Sequence, residues 1–116
     1  MIACGMSQIE ALALSMLIEA FVVALAVRAL NWGSAFRAAI IAMAGTFATH
    51  WAVWSFVEQG APSLDYASAV VVAEIGAVAV EAIIYALALP VSPARALALS
   101  LSANGASFAA GLLLSP

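Results

Sequence analysis

Four stretches of predominantly apolar residues, at about 7–30, 35–57, 66–89 and 92–114, take up nearly all of a 116-residue chain. A helix needs roughly 20 apolar residues to cross the ~30 Å hydrocarbon core of a bilayer, and each stretch has that length. Backbone polar groups in lipid must be satisfied internally, which leaves only helices and closed barrels as spanning structures. A barrel would show segments of about ten residues alternating apolar and polar, and no such alternation runs through this chain. Its residues are 67% hydrophobic and 8% charged, against about half and a quarter in a soluble domain. The sequence therefore predicts an all-α integral membrane protein: four transmembrane helices in a compact bundle, one transmembrane domain over 1–116. No segment remains for a soluble domain with chemistry of its own.

The charges are few, and their positions say more than their sum of −3. No basic run offers a surface to nucleic acid or to anionic lipid headgroups. The single Cys4 excludes an intramolecular disulfide and any cysteine-based metal site. The first apolar stretch lacks a basic leader and carries Glu10 and Glu19, so it is expected to stay as a helix and not to be removed as a signal peptide. Arg28 and Arg37 flank the link ALNWGSAF, and Arg95 follows the link PVSP. The connection VEQGAPSLDY carries Glu58 and Asp65 and no positive charge. Positively charged links favour the cytoplasmic side. The expectation is a multi-pass protein of a bacterial-type inner (cytoplasmic) membrane with both termini outside.

The two halves of the chain resemble each other. EAFVVALAV at 19–27 parallels EAIIYALAL at 81–89. Arg37 and Arg95 are each followed nine residues later by a polar residue, Thr46 and Asn104, and three further on by Thr49 and Ser107. Two helices per half predict two parallel repeats, 7–57 and 66–114, related by an axis along the membrane normal. Segments such as SLSANGASFAAG are rich in small residues, which let membrane helices approach closely. A bundle this small has a large perimeter, and a homo-oligomer is expected.

Depth follows from the arginine anchors and the 1.5 Å rise per helical residue. Glu19, Thr46, Glu81 and Asn104 all come out roughly 13 Å from the Arg-bearing edge, close to the bilayer centre. Each helix also has one polar stripe: Gln8, Ser15 and Glu19; Thr46, Thr49 and His50; Glu74, Glu81 and Tyr85; Ser100, Asn104 and Ser107. Such stripes turn toward protein or water, away from lipid. A second level further out holds His50 and Glu74, predicted to touch each other and to line an outer path. The competing reading puts His50 in an interfacial aromatic belt with Trp51, Trp54 and Phe56.

Glu19 and Glu81 have no basic residue at their depth. Two such carboxyl groups can be protonated, share a proton or hold a cation, and intramembrane acids of this kind mark ion or proton sites. The plainer alternative is two neutral acids hydrogen-bonded to Asn104 and Thr46 as glue between helices. A site for a cationic organic substrate is a third possibility. Oxygen ligands from Glu19, Glu81, Asn104 and Thr46 would suit a hard cation. Glu-x-x-His pairs and His or Cys clusters of the kind that hold iron or zinc are missing. Ser107 and His50 are the only nucleophile–base pair to consider, on residue type alone, so no enzyme is expected.

GTFATHW places a small residue four before His50 and an aromatic just after it. This resembles the small-x-x-x-His environment of light-harvesting antenna helices, which cross the membrane once. The resemblance, over about ten residues, implies His50 as an axial pigment or haem ligand. Two functions are thus expected from different classes. The first is a small transport or channel-type protein with a midplane carboxylate site for a proton or a bound cation, built from Glu19, Glu81, Asn104 and Thr46. The second is a non-catalytic accessory subunit of a larger respiratory or photosynthetic membrane complex. Stripes that face one another favour the first, and stripes that face a partner chain favour the second.

Overall fold

A computed structural model describes residues 6–59 and 63–114; Cys4 lies outside them. Four α-helices fill it: α1 (Gln8–Leu30), α2 (Ala35–Gln59), α3 (Tyr66–Ala88) and α4 (Pro93–Leu114). All four are long and apolar enough to cross a membrane.

Local chemistry sets the ends. Ser7 and Glu10 form a reciprocal capping box, with Ser7 Oγ accepting from the Glu10 N–H and the Glu10 carboxylate accepting from the Ser7 N–H. Helix α1 stops where Asn31 turns left-handed at φ 56°, and the Trp32 N–H returns to the Val27 carbonyl. The starts of α2 and α4 are alike. Ser34 Oγ accepts from the Arg37 N–H and Ser92 Oγ from the Arg95 N–H, both at 3.2 Å. Pro93 opens α4, where its missing N–H costs nothing. Helix α2 runs through the polar residues Glu58 and Gln59, beyond its apolar stretch.

Asp65 caps α3, its carboxylate accepting the Ser68 N–H at 2.7 Å. That backbone donor, helped by the Ser68 side chain, holds the Asp65 carboxyl below its ordinary value. A lowered carboxyl stabilises the fold above the ordinary carboxylate range and loses its contribution as pH falls through the lowered value. Asp65→Asn keeps the cap without a titrating group. Thermal unfolding followed by circular dichroism is therefore expected to lose less stability on acidification in that variant than in wild type.

Each helix packs beside its neighbours in sequence, and α4 closes the ring onto α1; the backbones of the diagonal pairs, α1 with α3 and α2 with α4, do not meet. Short links make the neighbours antiparallel, so both Arg-bearing links lie at one end of the bundle. They also touch: the Arg95 guanidinium sits 4.8 Å from the Trp32 ring centroid, a cation–π contact. Gly33 has φ 139°, and a Cβ there would stand 3.2 Å from the Pro90 ring. A side chain at Gly33 would meet both a strained backbone and a steric neighbour.

The main apolar core gathers toward this end, with Val23, Val27, Ala38, Ala42, Leu89, Ala96 and Leu99. Alanines at its contacts let the helices come close. A smaller cluster of Val53, Ala73 and Ala77, backed by Val57, joins α2 to α3 toward the other end. The outward faces carry Leu17, Phe21, Ile83 and Leu87, all more than half exposed, as a lipid-facing surface requires.

Candidate functional site

The buried polar side chains come from all four helices and converge on the bundle axis. Glu19 and Glu81 are each 1% exposed. They extend from diagonally opposite helices whose backbones do not touch, and their carboxyl groups interact across the axis. The other two helices supply the donors. Thr46 Oγ1 in α2 donates to Glu19 Oε1 at 3.2 Å, and Ser107 Oγ in α4 donates to Glu19 Oε2 at 3.0 Å. Thr49 Oγ1 stands 3.3 Å from Glu81 Oε2. It also lies 3.1 Å from the Gly45 carbonyl and 3.3 Å from that of Thr46, so three acceptors compete for its one proton.

Asn104 neighbours Glu81, but its amide nitrogen donates along its own helix, to the Ser100 carbonyl at 3.0 Å and to Ser100 Oγ at 3.3 Å. Ser100 Oγ in turn donates to the Val78 carbonyl at 2.7 Å, tying α4 to α3. Tyr85, fully buried, stands near both carboxyl groups. The buried oxygens without a hydrogen-bond partner include Glu81 Oε1, Tyr85 Oη and Ser15 Oγ. No arginine side chain enters the cluster, and the chain has no fourth basic residue beyond its single histidine.

Of the four residues placed at mid-depth by counting from the arginines, Glu19, Thr46 and Glu81 take part directly and Asn104 stands beside Glu81. Thr49 and Ser107 were on the predicted stripes but not in the predicted layer. Side chains on a helix point back toward its N-terminus. The carboxyl groups of α1 and α3 are therefore carried away from the Arg-bearing end, to the level of the next polar residues on α2 and α4. The signal that finds Thr49 and Ser107 is this direction, added to the count of Cα positions.

For His50, predicted to touch Glu74, the bond described is to α1. The His50 Nε2 lies 3.0 Å from the Gln8 carbonyl of α1. A carbonyl only accepts, so Nε2–H is the donor. The ring packs edge-on against Trp51 and tilted against Trp54. Glu74 is half-buried on the other side of the bundle. It borders a groove of about 330 Å³ between α3 and α4 with Val71, Val78, Leu101 and Phe108. The two residues share a level but face different neighbours. Ser107 and His50 likewise keep separate partners, and axial ligation through His50 Nε2 would require the Gln8 bond to be given up.

A second groove, between α2 and α3, is lined by Thr49, Val53, Phe56, Gly76 and Val80. Glu19 and Glu81 line neither groove. Gly45 lies beside Glu81: a Cβ there would stand 3.5 Å from Glu81 Cγ and 3.8 Å from Glu81 Oε1. These are ordinary contact distances, so Gly45→Ala is expected to fold normally. It should gain up to about 1 kcal/mol from helix propensity. Gly45→Leu drives a branched side chain into Glu81 and is expected to lower the melting temperature in detergent and to disrupt the Thr49–Glu81 contact.

Among the described residues no group of three or more His, Cys, Asp or Glu is placed to hold a metal ion. Comparison with models of known families, with curated proteins and with solved structures finds no match. Chemically, the cluster sets two buried acids beside hydroxyl donors that stabilise negative charge on a carboxylate.

Proposed function

We propose that this chain is a small membrane transport or channel-type protein, with the Glu19–Glu81 pair as a mid-depth site for a proton or cation. One observation carries the reading: two buried carboxyl groups meet on the bundle axis with no basic side chain beside them. An uncompensated acid pair in hydrocarbon is costly, and such groups mark ion or proton paths. Because the polar stripes face one another inside a single chain, the transport reading is favoured over an accessory subunit whose stripes would face a partner.

In this reading the Arg-bearing links face the cytoplasm of a bacterial-type inner membrane, and both termini lie outside. The two halves act as parallel repeats. Glu19 is served by Thr46 of its own half and Ser107 of the other; Glu81 stands beside Asn104 of its own half and Thr49 of the other. Exchange of the halves carries each set onto the other, which supports the repeat. The exposed apolar perimeter leaves room for a homo-oligomer.

The test is reconstitution of the purified protein into vesicles under an imposed proton, Na⁺ or K⁺ gradient. Dissipation faster than in protein-free vesicles is expected for at least one ion. Rates equal to protein-free vesicles for all three, together with purification only as part of a fixed complex, would favour the subunit reading.

A further inference from the structure

The donors around the pair are unequally divided. Glu19 accepts a hydroxyl on each of its oxygens. Among the described residues Thr46 Oγ1 has no other acceptor, whereas Ser107 Oγ divides between Glu19 at 3.0 Å and the Asn104 carbonyl at 3.1 Å. Glu81 has the contested Thr49 hydroxyl and, beside it, an Asn104 amide that also serves Ser100, and its Oε1 has no hydrogen-bond partner although the residue is 1% exposed. A carboxylate needs donors on both oxygens, whereas a carboxylic acid carries one of its own. We infer that the ion held here is a single proton, bonded to Glu81 Oε1 and directed at an ionised Glu19, so that the pair carries one negative charge.

This rests on the reading of Glu19 and Glu81 as the ion site, and it decides between the two ions left open there. A hard metal cation takes six or more oxygen ligands with their lone pairs turned inward. Here the Thr46 hydroxyl is placed to donate to Glu19, and the Ser107 hydroxyl to Glu19 or to the Asn104 carbonyl. The Asn104 amide nitrogen, a donor, is shared between Ser100 and the neighbouring Glu81. That leaves one bare carboxyl oxygen, which suits an O–H bond. Among the described residues no cationic side chain takes the proton's place beside the pair. Tyr85 on α3 is the titratable group that faces the pair, and its hydroxyl has no hydrogen-bond partner. His50 on α2 is turned to Gln8. Transfer of the proton from Glu81 Oε1 to Glu19 breaks one O–H bond and forms another. The total charge does not change and no other reactant is needed.

The arrangement predicts different behaviour for the two acids on substitution. In Glu81→Gln the amide N–H₂ replaces the acid O–H as donor to Glu19, which stays ionised. In Glu19→Gln the remaining Glu81 keeps its proton. The experiment is infrared spectroscopy of the protein in lipid vesicles at neutral pH, with carboxyl-labelled glutamate to separate protein carboxyl bands from lipid esters. A protonated-carboxyl band is expected in wild type, unchanged on exchange of Na⁺ for K⁺ or Mg²⁺. Read as a difference from wild type, so that carboxyl groups outside the pair cancel, its Glu81 component is expected to survive in Glu19→Gln and to be lost in Glu81→Gln. A band absent from wild type, removed by a metal cation, or affected alike by the two substitutions would overturn the inference. If Glu81→Gln fails to fold, the cation exchange in wild type and the Glu19→Gln spectrum still decide it. Vesicles that show the band but no flux would refute the transport reading and leave the shared proton standing. Cation flux without the band would do the reverse.

Discussion

Replacing Glu19 or Glu81 by glutamine is expected to reduce ion flux in reconstituted vesicles to the level of protein-free vesicles while the bundle stays folded. Glutamine has nearly the same shape and retains one acceptor and a donor. In Glu19→Gln, Thr46 and Ser107 can still bond to the amide if one hydroxyl reverses to accept. In Glu81→Gln, the Thr49 hydroxyl can still bond to the amide. The stability change should stay within about 1 kcal/mol, the size of a typical hydrogen-bond rearrangement. What the amide cannot do is take up and release a proton or balance a cation. The loss is therefore functional, and a melting temperature close to wild type beside absent flux is the signature. Wild-type flux in both variants would remove the pair from the mechanism.

Ala42→Leu is expected to have the largest effect on the fold. Ala42 is 0% exposed and lies one helical turn from Thr46, within the core shared with Val23, Val27 and Ala96. Three additional carbons have no cavity to enter. Overpacking of this kind costs roughly 1–3 kcal/mol, and in a bundle whose helices approach through alanine the backbone of α2 has to move outward. That movement draws Thr46 away from Glu19, so the variant should lose thermal stability and ion flux together. Thermal unfolding in detergent measures the first and vesicle flux the second. Normal stability would mean that α2 does not pack here as described.

Much of this arrangement can be read from the sequence because membrane helices impose strict geometry. The four apolar stretches correspond to four helices since a bilayer admits little else at that length. Glu19, Glu81 and Thr46 fall at one level because a fixed rise per residue turns the distance to an arginine into a depth. The same arithmetic does not report the direction of a side chain, and so Thr49 and Ser107 enter in place of a purely Cα-level layer. Nor does it report which neighbour a helix face meets. His50 and Glu74 come out at similar heights, yet one is turned to α1 and the other to the groove between α3 and α4. The meeting of Glu19 with Glu81 across a diagonal depends on the ring order of the four helices, which no single-helix pattern contains. The bare oxygen on Glu81 is a property of the assembled donors alone.

The account turns on whether the two glutamates meet at the centre of the folded bundle. Solid-state NMR of the protein in lipid bilayers, with ¹³C at the side-chain carboxyl of glutamate, measures this directly. The prediction is a through-space cross-peak between the carboxyl carbons of Glu19 and Glu81, assigned by its disappearance when either residue is changed to glutamine. Resolved carboxyl signals for both residues with no cross-peak between them would contradict the account.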